Sequence, residues 1–121
     1  MKILIISLIF SSAISVEYVI LYDTNLIDEA NTISNLYNNQ VDLNFQLSTK
    51  IYSNVEINSN YNDNIPQDEK IKRFITEQLI NGNPDLKYIL ILGDENSFPP
   101  IYSDCLFQPD EVCPSDDLYA Q

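Results

Sequence analysis

The side chains best equipped for chemistry in this sequence are two thiols and a set of carboxylates that close apolar segments. Cys105 and Cys113 lie close together near the C-terminal end. A cysteine attacks as thiolate, so it needs a neighbouring base or a positive field. The nearest charges here are Asp104, Asp110 and Glu111, which disfavour the thiolate. The 121 residues contain no histidine. Neither a Cys–His nor a Ser–His dyad can therefore be assembled within the chain, and two cysteines without histidine make a poor zinc set. Two readings of the pair remain: a local Cys105–Cys113 disulfide, contributing roughly 2–3 kcal/mol for so short a loop, or two inert thiols. Among the carboxylates, Asp23 and Asp94 each end an apolar run. In a parallel sheet such positions face the ligand-binding edge, and Asp94 with Asp104 or Asp116 could contact a metal or substrate. Aspartate is equally suited to capping turns and helix starts, and that is the reading taken for these residues. The acidic stretch from Asp104 to Asp117 could hold Ca²⁺ through carboxylates and carbonyls, although it lacks EF-hand spacing.

Composition narrows the possibilities further. With 6 Lys+Arg against 18 Asp+Glu the formal net charge is −12 and the isoelectric point about 4.1. A nucleic-acid partner is excluded on that balance, because phosphate contacts require clustered cations. The chain has two glycines, Gly82 and Gly93. Neither a G-x-G-x-x-G turn nor a P-loop can be built from them, and no G-x-S-x-G elbow is present. No cofactor is expected, with Ca²⁺ as the open possibility noted above. An apolar fraction of 45% suits a folded domain, and the length suits one small domain.

Residues 1–15 read as a secretory signal peptide. Lys2 precedes the apolar run Ile3 to Phe10, and the Ala-x-Ser triplet Ala13, Ile14 and Ser15 follows, with cleavage expected after Ser15. Residues 16–121 are then the exported domain, in a compartment where cysteines oxidise. No later stretch is long enough to span a membrane.

These groups must be positioned by alternating strands and helices. Val16 to Tyr22 is β-rich and almost wholly apolar, as for a strand buried on both faces. Asn25 is placed to cap a helix carrying Leu26, Ala30, Ile33 and Tyr37 on one face, ending at Asn38 and Asn39. Val41, Leu43, Phe45 and Leu47 alternate with polar residues and predict a half-exposed second strand. Residues 53–64, rich in Asn and Ser, predict a surface loop. Pro66 opens a second helix with Asp68 and Glu69 in its first turn, a stripe of Ile71, Phe74, Ile75 and Leu79, and Gly82 at its end. Tyr88 to Leu92 is a short apolar strand stopping at Gly93–Asp94. Beyond Asp94 the chain reads as irregular. The pattern is β-α-β-α-β, an α/β fold with a parallel sheet.

The last third carries a resemblance. Tyr88 to Asp94 (Tyr-Ile-Leu-Ile-Leu-Gly-Asp), Phe98 to Ser103 with its two prolines, and Pro114 to Ala120 (Pro-Ser-Asp-Asp-Leu-Tyr-Ala) together resemble the gingipain family of cysteine peptidases. The upstream order of strands and helices agrees. The resemblance implies a caspase-like α/β fold and secreted endopeptidase activity on protein or peptide substrates. It also implies a cysteine nucleophile and a histidine in a Gly-His-Gly-like segment, both C-terminal to the Ser-Asp-x-x-Tyr segment. No catalytic residue transfers to this sequence. Gly93, Asp94, Ser115, Asp116 and Tyr119 transfer as architectural positions at strand ends. The expectation is the N-terminal portion of such a peptidase, inactive by itself. The rival expectations are a non-catalytic secreted α/β module that binds a partner or Ca²⁺ through acidic loops, and a flavodoxin-like domain, which lacks its phosphate loop.

Overall fold

A computed structural model describes residues 15–105 and 108–115, from residue 101 onward by its backbone alone. The first strand, β1 (Tyr18–Tyr22), lies between β2 (Thr49–Ser53) and β3 (Tyr88–Leu92) in a parallel sheet of order β2-β1-β3. The register runs Tyr18↔Thr49 on one side of β1 and Tyr18↔Tyr88 on the other. A continuous apolar run becomes a two-faced strand because successive side chains point to opposite faces. Val19 and Leu21 enter one core with Ile57, Ile71, Phe74, Ile75, Leu79 and Phe98. Ile20 and Tyr22 enter a second with Ala30. Helix α1 (Ile27–Asn38) covers the second face; α2 (Asn54–Ser59) and α3 (Gln67–Arg73) cover the first. The fold is therefore α/β with a parallel sheet, as the alternation of patterns predicts.

Four local expectations are corrected. The alternating segment from Val41 to Leu47 is not the second strand. Asp42 instead turns the chain, its carboxylate accepting from the Asn44 amide at 2.9 Å and its carbonyl from that of Phe45 at 3.0 Å. Val41 and Leu43 are left 99% and 77% exposed. The strand forms later, over Thr49–Ser53, where β-branched and aromatic residues find β1 as a partner.

Residues 53–64 are not all loop, because Ser53 caps α2 by accepting from the Glu56 amide at 3.1 Å. Fully buried Ile57 anchors that short helix to the sheet. Asn25 is not a cap. Asp23 accepts from the Asn25 amide at 2.8 Å and opens a 3₁₀ turn (Thr24–Leu26) that leads into α1.

Finally, the region after Asp94 contains an antiparallel hairpin, β4 (Ile101–Cys105) and β5 (Gln108–Ser115), with its register irregular at Asp104/Cys105. Prolines 109 and 114 obscured it, although proline is tolerated where a strand has a free edge. The second long helix forms as expected but widens after α3, continuing as a π-helical stretch over Phe74–Ile80. No described helix is long and apolar enough to cross a membrane.

Candidate functional site at the carboxyl ends of β1 and β3

A sheet of order 2-1-3 has its topological switch point between the first and third strands, where the connections diverge and ligands bind. A cleft of about 390 Å³ occupies that place, lined by Asp23, Asn25, Leu26, Leu92, Gly93 and Asp94. Its floor is continuous with the ladder: the Asp23 amide donates to the Leu92 carbonyl at 2.9 Å, one step beyond the pairing of Tyr22 with Leu92.

Each wall is built by a carboxylate that accepts from neighbouring donors. Asp94 accepts through Oδ1 from the amides of Asn96 at 3.0 Å and Ser97 at 3.3 Å. Its carbonyl receives the Phe98 amide at 2.9 Å. The Asn96 amide, then that of Ser97, holds the Asp94 carboxyl below the usual carboxylate range, since bonds to the charged form favour it. Asp23 accepts from the Asn25 amide through one oxygen and from the Ser97 hydroxyl through the other. Ser97 is buried, and its carbonyl accepts from the Gln67 amide group of α3 at 2.8 Å. On the other flank the Thr24 amide donates to the Asn54 side chain of α2 at 3.2 Å. All three loops at this edge of the sheet are thus cross-tied.

Gly93 fits this arrangement for a steric reason. A Cβ there would lie 2.8 Å from Cδ2 of Phe98, whose buried ring closes the core beneath the loop.

Of the residues singled out from sequence, Asp23, Gly93 and Asp94 are brought together at this cleft. Both aspartates cap, as taken from residue type, and neither belongs to a group of three or more His, Cys, Asp or Glu able to hold a metal among the described residues. Asp104, Cys105, Cys113 and Ser115 are placed by backbone alone, with Ser103 opposite Cys113 and Ile101 opposite Ser115. The disulfide and the Ca²⁺ loop therefore involve side chains outside the described residues, as do Asp116 and Tyr119 altogether. Sequence reasoning missed Ser97 and Gln67. The available signal was the Asp94-x-x-Ser97 spacing just after a strand, which favours an aspartate-capped turn.

Chemically, the cleft is an ordered rim, with its carboxylates engaged as acceptors and no nucleophile–base pair among its lining residues. Compared with known proteins, the chain matches the family model described as peptidase family C25 over residues 11–121. No curated protein and no solved structure gives a significant match.

Proposed function

The chain belongs to peptidase family C25, the gingipain family of cysteine peptidases, and we propose that it forms the N-terminal part of a secreted endopeptidase, inactive without the residues that follow. One observation carries this assignment: the family match runs through the whole scaffold, and that scaffold has no histidine. The thiolate nucleophile and its histidine then come from chain beyond Gln121. In the complete enzyme the histidine takes the proton of the cysteine and returns it to the leaving amine, while backbone N–H groups stabilise the oxyanion. Residues 16–121 supply the sheet and the cross-tied rim on which those groups are mounted. Export follows from the leader over residues 1–15, removed after Ser15. Oxidation after export closes the Cys105–Cys113 disulfide.

The test is active-site labelling of the protein extended past Gln121. A peptidyl alkylating reagent directed at catalytic thiols should mark a cysteine beyond that residue and abolish peptide cleavage. Labelling of Cys105 or Cys113 with the same loss of activity refutes the assignment.

A further inference from the structure

The opposite edge of the sheet, where β1 and β3 begin, holds a cluster of charges that the cleft does not use. Glu17 is clamped there through its backbone. Its amide donates to the Ser48 carbonyl at 3.0 Å, and its carbonyl accepts from the amides of Lys87 at 2.7 Å and Tyr88 at 3.1 Å. Its carboxylate pairs with Lys87 Nζ at 2.8 Å. That bond holds the Glu17 carboxyl below its ordinary range, while nearby Asp85 works against it.

Among the described residues, Asp85 accepts from the Ser15 hydroxyl at 2.6 Å. The charge of Asp85 also acts on the Lys87 ammonium, which is bonded to Glu17. Between Ser15 and Glu17, Val16 is partly buried and packs against the core that contains Val19 and Leu21. The Ser48 hydroxyl bridges the segment, donating to the Ser15 carbonyl and accepting from the Glu17 amide at 3.2 Å.

We propose that this edge is a receptor for the chain's own processed terminus: Val16 becomes the first residue, and its α-ammonium is held by the Asp85 carboxylate and the Ser48 hydroxyl. The inference rests on the leader reading given above. A leader-removing endopeptidase hydrolyses the Ser15–Val16 amide. The carbonyl carbon gains the hydroxyl of water, Ser15 departs with the leader as a carboxylate, and the Val16 nitrogen becomes an ammonium at neutral pH. That nitrogen was bonded to the very carbonyl carbon whose oxygen Ser48 holds, so it is released within the same cluster. Ser48, which already accepts from the Glu17 amide, gives up its bond to the Ser15 carbonyl and accepts from the ammonium with its second lone pair. The new cation brings the cluster to two ammonium groups for Glu17 and Asp85. Packing of Val16 against the core keeps the terminus from swinging away.

The experiment uses the full chain exported from a secreting host. Terminal sequencing comes first: a first residue other than Val16 overturns the leader reading, and the inference with it. With Val16 first, the α-amine is acylated near its ordinary pKa of about 7.7–8.0, and modification of the terminal peptide is followed by mass spectrometry. Acylation requires the neutral amine. The wild-type rate should therefore be roughly twofold to fivefold below that of Asp85→Asn, the range an exposed ion pair commands. High salt should raise the wild-type rate towards the variant's. Equal rates in wild type and Asp85→Asn, with no response to salt, overturn the receptor while leaving the leader intact.

Discussion

Gly93 owes its place to a neighbour, not to an unusual backbone. Alanine there would press its Cβ to within 2.8 Å of the Phe98 ring, which is itself buried in the first core. Gly93→Ala should lower stability by about 1–3 kcal/mol through overpacking, read from the denaturant midpoint. Ser97→Ala removes the hydroxyl that ties the β3 loop to Asp23 and should cost about 1–3 kcal/mol. Asp94 gives a prediction in pH. Its folded pKa is depressed, chiefly by the Asn96 and Ser97 amides. Its contribution is therefore present above the unfolded carboxylate pKa and fades as pH falls through the folded value. Asp94→Asn should flatten the acid limb of a thermal-stability profile below about pH 4. An unchanged acid limb would show that the bonds from the two amides contribute nothing. At this scale Gly93 and Asp94 were legible because they end an apolar run. Ser97 was not, because its importance comes from Asp23 and Gln67, both distant in sequence.

Among the elements, the first and third strands of the sheet and the two long helices were legible, while the second strand and the short pieces were not. Tyr88–Leu92 and Tyr18–Tyr22 announced themselves as unbroken apolar runs, which suits strands covered on both faces. Val41 to Leu47 shows the opposite error. Its alternation is the pattern of a strand, but pattern alone does not supply a pairing partner, and Asp42 turns the backbone first. The capping signal Ser53-x-x-Glu56 could have exposed α2, yet a six-residue helix carries too few positions to show periodicity. The two segments should respond differently to mutation. Ile57→Ala, at a fully buried site, should cost about 2–5 kcal/mol. Leu43→Ser, at a site 77% exposed, should stay within about 0.5 kcal/mol. Equal losses would mean that Val41 to Leu47 is packed and that the alternating strand was the better reading.

For the molecule as a whole, the two ends of the sheet's strands carry separate hydrogen-bonded clusters. At the carboxyl ends of β1 and β3, Asp23, Asp94, Ser97 and Gln67 hold an ordered rim. At the starting ends, Glu17, Ser48, Asp85 and Lys87 surround the entry to β1. The parallel pairing and the family were both legible from sequence, the latter through motifs confined to the last third. The hairpin after Asp94 was not, since its pairing is between β4 and β5 and its prolines hide the strand pattern. In the function proposed above, these residues are peptidase scaffold and the peptidase chemistry lies elsewhere. The most direct measurement is hydrolysis of a mixed peptide library by the purified 121-residue chain under reducing conditions, with and without a thiol-blocking reagent. No cleavage that the reagent suppresses is expected. Turnover that is lost on blocking, and lost again in Cys105→Ser or Cys113→Ser, would contradict that function.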